Sequence, residues 1–342
     1  GSVDHPLKFI GWNTSTGKAD SDTTDGRAYI RAVGGSVDID NAQFNHLGFW
    51  SGYTGGLSLT GAESPQIKDV NGTTVAAPNG AAAQPVGDTP SYLGANEASR
   101  SLGPVTATLR GVTATENAYG LFATNVASLA ITRGDFSRNL IHGVVLHRFV
   151  AKSNVTNVAV KSNAIDGIRV AGGATNAKID HAEITGNGRN GVTLDGSPLA
   201  VGPNATGVAV GRFGGHAILH STIAKNANYG IQLDSVAGAT LRGNTMSGHR
   251  SGVVVMGQTS NLAISANRVR SSSGQAIAVR DGATAITISG NDINGSETGI
   301  YARGAQSSIS RNVISNVSNH GITIVSQSGR TRVEKNAIAG VG

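Results

Sequence analysis

The sequence contains no cysteine. Disulfide frameworks, cysteine-ligated zinc and thiol catalysis are therefore excluded. Aromatic residues are scarce at 4%, and charged residues reach only 14%. No stretch of five or more Lys/Arg occurs, so the basic arms that nucleic-acid binders use are missing. With few aromatics to stack on bases, a nucleic-acid partner is the least favoured reading. No apolar run approaches the ~20 residues that would span a bilayer. No Gly-x-Ser-x-Gly, Walker-type or dinucleotide fingerprint stands in the right context. No leader peptide is visible, but Gly1-Ser2 has the form of a tag-cleavage remnant. Upstream sequence is then missing, and the lack of a targeting signal carries no weight.

What is present is glycine, 48 residues in 342. Gly weakens helix interiors, while Gly, Asn, Ser and Thr supply turns. Among the apolar residues Val, Ile and Ala dominate, and the β-branched ones favour strands. The formal charge of +6 and the pI of about 9.7 suit an acidic polymer or a solvated basic surface.

The glycines are periodic. A Gly or Ala followed by alternating apolar residues opens at positions 120, 143, 167, 191, 230, 252, 276, 299 and 321, for example Gly143-Val144-Val145-Leu146 and Gly230-Ile231-Gln232-Leu233. The spacings are 22–24 residues except for one of 39, which holds an insertion near 198–215. Each period carries a second alternation and an Asn-rich turn, as in Ile286-Thr287-Ile288-Ser289-Gly290-Asn291. Such short strands have one apolar face, which a single period cannot bury. Stacking the periods at ~4.8 Å buries it. Leucine-rich-repeat spacing is absent and propeller blades are longer. The expected fold is all-β: one right-handed parallel β-helix over 1–342, with a long loop excursion at 62–104. Asn139, Asn163, Asn187 and Asn226 fall at the bends, where Asn tolerates left-handed backbone and stacks into ladders. Ser36–Asp40 and Gly56–Thr60 read as strands of an early rung.

On each strand the first and third residues after the Gly point inward, and the second points outward. The fourth and fifth stand at the strand end. This strip collects His147, Arg148, Arg169, Asp195, Asp234, Arg280, Asp281 and Arg303, with Gln232 among the outward residues. Asp195 and Asp234 are equivalent positions of neighbouring rungs if the insertion loops out. Their carboxylates then lie about 5 Å apart, the spacing of a retaining glycosidase pair. Ca²⁺ is an alternative occupant, and otherwise no cofactor is expected. Against these readings stands the plain one, in which strand-end polar residues are simply solvated. His5, His46, His142, His181, His216, His220, His249 and His320 show no metal-binding spacing. His216 and His220 are four apart, but on strand or loop that spacing does not share a face.

The segment Tyr119-Gly120-Leu121-Phe122, through Arg138-Asn139-Leu140-Ile141-His142-Gly143-Val144-Val145-Leu146-His147-Arg148, resembles the core of the periplasmic mannuronan C5-epimerases of alginate-producing bacteria. Gly11-Trp12-Asn13, Arg27-Ala28-Tyr29-Ile30 and His46-Leu47-Gly48-Phe49 are similar too. The likeness runs from about residue 8 to about 260. That family is built as right-handed β-helices and carries an Asp-Pro-His-Asp-Arg-Ser motif whose His abstracts the C5 proton of a uronate. His147 falls on the motif His. Val145 stands for the first Asp, Leu146 for the Pro, Arg148 for the second Asp and Phe149 for the Arg. A family Arg that neutralises the substrate carboxylate falls near Gly172, and Asp195 matches a family Asp.

The resemblance implies a polysaccharide partner and C5 proton abstraction, with epimerisation or lyase cleavage as the outcome. His147 would be the base, Arg148 and Arg169 the carboxylate holders, and Tyr119 or Tyr53 the opposing acid. Arg280, Arg303 and Gln232 would extend the binding strip. The expected location is secreted, periplasmic or cell-envelope. Two other readings stay open: glycoside hydrolysis by Asp195 and Asp234, and a non-catalytic glycan-binding or adhesion solenoid. The sequence does not fix the oligomeric state.

Overall fold

The computed structural model describes residues 1–24, 26–49, 52–61, 66–68, 74–76, 104–197, 213–304, 306–325 and 330–342. Among the described residues the regular elements are strands and one 3₁₀ turn, Gly52–Thr54. The repeat folds as the glycine spacing requires. Residues one period apart are parallel partners: Leu121, Val144, Ile168, Val192, Ile231, Val253, Ile277, Ile300 and Ile322 form one continuous row. The row extends backward to Leu57 and Ile30.

Each rung has three strand faces. One is an 11-stranded parallel sheet running from Gly35–Asp40 to Arg332–Glu334. The second is a stack of short strands such as Ala159–Lys161 and Glu183–Thr185. The third carries the Gly-opened strands from Gly56–Thr60 to His320–Val325. Gly35–Asp40 and Gly56–Thr60 belong to one rung, which pairs directly with the rung of Val105–Arg110 and Tyr119–Thr124. The interior is a column of buried Val, Ile and Leu, with Phe44 and Phe136 among its largest members. Burying each such side chain stabilises the fold by roughly 1.5–3 kcal/mol.

The expected Asn ladder forms. Asn139 Nδ2 donates to Asn163 Oδ1 at 2.9 Å, Asn163 to Asn187 at 2.9 Å, and Asn187 to Asn226 at 2.8 Å. A second ladder joins Asn244, Asn267, Asn291, Asn312 and Asn336. The reason given for Asn at these bends needs correction. The left-handed residue is the one before each ladder Asn: Arg138, Ser162, Gly186 and Lys225, with φ of 56°, 54°, 67° and 54°. The Asn side chains instead satisfy buried backbone amides of the preceding rung, as where Asn139 N donates to Asn163 Oδ1.

Most of the 62–104 excursion lies outside the described residues. Within it, Gln66–Lys68 and Thr74–Ala76 pair as an antiparallel hairpin. The insertion at 198–215 falls mainly outside them too. Its last two residues, Gly214 and Gly215, already belong to the strand Gly214–Leu219.

Candidate functional site

The outward residues of the Gly-opened strands line up in register as Arg31, Ser58, Phe122, Val145, Arg169, Thr193, Gln232, Val254, Ala278, Tyr301 and Thr323. The row is not open along its whole length, as the strip reading implied. Val145 and Thr193 are 3% exposed, and Val254 and Ala278 are fully buried. Polar and aromatic side chains concentrate between the Gly56–Thr60 and Tyr229–Asp234 rungs.

Phe122 is the hub of that region. Its ring lies 5.9 Å from Tyr53, 5.8 Å from Tyr119 and 6.1 Å from His147. Gly52 makes the approach possible, because a Cβ there would stand 2.3 Å from the Phe122 ring. The Arg31 guanidinium lies over Tyr53, 4.9 Å from the ring centre. His147, Tyr119 and Tyr53 thus share Phe122 as a common neighbour, the two tyrosines coming from other rungs. Burial first, then the positive charges of Arg148 and Arg169, push its pKa down to about 4; Asp195 opposes this. The imidazole is neutral near pH 7. Burial also raises the Tyr119 pKa, which keeps its phenol protonated.

Arg169 stands on the next rung. Its Nη2 donates to Asp195 Oδ2 at 3.1 Å, and Nη1 lies 3.8 Å from Asp166. Asp195 and Asp234 are register partners on neighbouring rungs. Asp195 also accepts from the Ser197 amide at 3.0 Å, and Asp234 from the Ser235 hydroxyl at 2.9 Å. Gln232 Oε1 accepts from Asn190 Nδ2 at 2.7 Å, which fixes its side chain against the strip.

Three predicted members sit elsewhere. Arg148 is 5% exposed with φ 46°, so it is sunk at the strand end and acts on His147 through its charge. The expectation that it grips a polymer laid on the surface is corrected on that ground. Arg280 lies on the rung of Ala278, five strand spacings of ~4.8 Å from that of His147. Arg303 is farther still and pairs with Asp281 at 3.1 Å.

Sequence reasoning missed Asp166 and His142. Asp166 is fully buried and is held by Arg189, whose Nε donates to Oδ1 at 2.8 Å and whose Nη2 reaches Oδ2. The Asn190 amide adds a bond at 3.2 Å. Asp166 therefore anchors the turn that presents Arg169. His142 is the register partner of Tyr119, with ring centres 5.9 Å apart. Its Nδ1 accepts the Asp166 amide at 3.1 Å, so the ring proton sits on Nε2. Burial pushes its pKa down to about 4. The signal was present in the sequence: His142-Gly143 occupies the same slot as Tyr119-Gly120 and Tyr229-Gly230.

The family description that matches is "Right handed beta helix region", over residues 34–205 and 206–342. The chain belongs to the right-handed β-helix family. No curated protein sequence matches it. Among solved structures it is similar to the periplasmic alginate epimerase AlgG, at 13% identity and TM-score 0.60, covering 98% of this chain and 67% of that one. It is also similar to the A-module of the Azotobacter vinelandii mannuronan C-5 epimerase AlgE6, at 15% identity and TM-score 0.57, covering 71% and 66%. The chain thus spans about two thirds of each of those proteins. At such identities the likeness establishes the β-helix and leaves the chemistry to the site. Two of the three N-terminal segments that carried the resemblance are in contact: buried Arg27 donates to the carbonyls of His46 at 2.9 Å and Leu47 at 3.1 Å. No helix among the described residues is long and apolar enough to cross a membrane.

Proposed function

We propose that this β-helix abstracts the C5 proton of a uronate in an acidic polysaccharide, as an epimerase or a lyase. The observation that carries the reading is a neutral His147 on the outer face, one rung from the Arg169 guanidinium and packed on the same Phe122 ring as the protonated Tyr119. His147 would take the C5 proton. The electron pair left behind moves into the substrate carboxylate, and Arg169 would offset the added charge. Tyr119 would return a proton to C5 from the opposite face, giving the epimer. Expulsion of the C4 oxygen would instead leave a double bond. Asp195 occupies the Arg169 face that the substrate carboxylate would share, so its carboxylate would turn aside or be bridged on binding. Action outside the cytoplasm, in the envelope or beyond it, belongs to this reading; support comes from the fold likeness to a periplasmic enzyme.

The test is incubation with polymannuronate and other uronate polymers in D₂O, read by proton NMR. Deuterium at C5 that vanishes in His147→Ala supports the reading, and new vinyl protons separate lyase from epimerase. No exchange on any uronate polymer overturns it. Hydrolysis by the register-paired Asp195 and Asp234, or glycan binding without turnover, then takes its place.

A further inference from the structure

A second cluster of chemistry-bearing side chains lies at another corner of the coil. The strand Ala177–Asp180 is in register with Gly214–Leu219, placing Asp180 beside Leu219. The residues that follow are His181 and His220, both left-handed with φ of 51° and 45°. Their amides donate one rung onward, His181 to Leu219 O at 3.2 Å and His220 to Arg242 O at 3.1 Å. Equivalent corners on adjacent rungs carry their side chains outward side by side, and the two rings lie 5.1 Å apart. Both Nδ1 atoms turn to one oxygen, Asp180 Oδ1, at 2.8 and 3.1 Å. The other oxygen, Oδ2, is held by Lys178 Nζ at 2.9 Å. Gly243 occupies the next corner, where a Cβ would stand 2.8 Å from His220 Cδ2, so its lack of a side chain leaves room for the ring.

We propose that Asp180, His181 and His220 form a binding site for a divalent transition-metal ion. One donor atom from each residue lies within 4.8 Å of the other two. An ion at the ~2.0–2.2 Å bond lengths of imidazole and carboxylate ligands fits that spacing with small side-chain rotations. Two imidazoles and one carboxylate select Zn²⁺, Ni²⁺ or Cu²⁺ over Ca²⁺, which demands six to eight oxygens. The exposed histidines leave the remaining coordination positions to water or to a group from outside. The ion would also join two rungs that the 39-residue period separates along the chain. That separation is why spacing rules applied to the sequence passed over the pair.

The experiment is calorimetric titration of the full chain, free of any added histidine tag, with ZnCl₂ alone. Thermal melts with Zn²⁺ and with EDTA run beside it. Wild type is expected to bind one equivalent and to melt a few degrees higher with saturating Zn²⁺. His181→Asn and His220→Asn keep a residue that tolerates the left-handed corner. Each should weaken binding at least tenfold while melting like wild type in EDTA. Lys178→Ala should tighten binding, because it removes a cation and frees Oδ2. Cu²⁺ in place of Zn²⁺ should give an electron paramagnetic resonance signature of two nitrogen ligands, reduced to one in either variant. Zn²⁺ binding that is equally strong in the double variant, or no binding in wild type, overturns the proposal.

Discussion

At the scale of the residue, the proposed proton abstraction depends on how His147 is kept neutral. Burial and two arginine charges bring its pKa to about 4, against 6.5 for a free imidazole. A base with that pKa is weaker than ordinary histidine but is fully deprotonated at every pH above about 5. The acidic limb of the rate on a uronate polymer should therefore fall near pH 4 rather than near 6.5. A limb at 6.5 would show that His147 is not the titrating base. Arg169 makes a different demand. Its planar fork faces both Asp195 and Asp166, a geometry that lysine cannot reproduce. Arg169→Lys should lower turnover by about 100-fold, the scale of losing one charge-stabilising donor, while leaving thermal stability near wild type. An equal loss of both would make Arg169 a structural residue.

At the scale of the element, the ladders carry the stability argument. Asn163 accepts from Asn139 N and Nδ2 and donates to Asn187 Oδ1 and the Phe136 carbonyl, all of them buried. Asn163→Ala strands those partners, and each unsatisfied buried group costs about 1–3 kcal/mol. A clear drop in Tm is expected; an unchanged melt would mean that water takes over the ladder. The first ladder also accepts a substitute. His249 Nδ1 receives the Asn226 amide at 3.1 Å, and Nε2 meets the Ile223 carbonyl at 3.0 Å, which copies the acceptor and donor of asparagine. His249→Asn should fold and melt like wild type near pH 7.

These elements also mark how far the sequence could be read. The rungs were legible because Gly143, Gly167 and Gly191 recur with a fixed apolar alternation, and one register satisfies all of them. The register of the candidate residues was legible where it followed that alternation, as with His147, Arg169, Asp195 and Asp234. It was illegible where a residue works through a corner. Asp166 is a lone carboxylate in a turn, and nothing along the chain announces that Arg189, a rung away, reaches back to it. Arg148 looked like a surface cation because strand parity says nothing of how deeply a strand end is buried.

At the scale of the whole molecule, histidine protonation ties rung-to-rung hydrogen bonding to pH. His142, His216 and His249 each accept a backbone amide of another rung through Nδ1, which only the neutral ring can do. Burial brings His142 and His216 down to about 4 and lowers His249 as well, while His147 joins them at about 4 for the reasons given above. In the unfolded chain these groups return to about 6.5. Between those values the unfolded state binds more protons than the folded one, so stability rises with pH across that window and is lost as pH falls. The fully buried His216 accounts for about 3 kcal/mol over such a span, at 1.36 kcal/mol per pKa unit. The carboxylates act lower. Those of Asp40 and Asp292, hydrogen-bonded by Arg110 and Arg270, are already held below the usual aspartate range. Their contribution is lost only below about pH 4. Melting curves taken from pH 8 to pH 4 should therefore be flat above about 7 and fall steeply between 6.5 and 4, before the carboxylates titrate. His216→Gln keeps an acceptor for the Ala177 amide without a titratable ring, and its slope in that window should be shallower. A slope identical to wild type would assign the acid loss to groups other than the buried histidines.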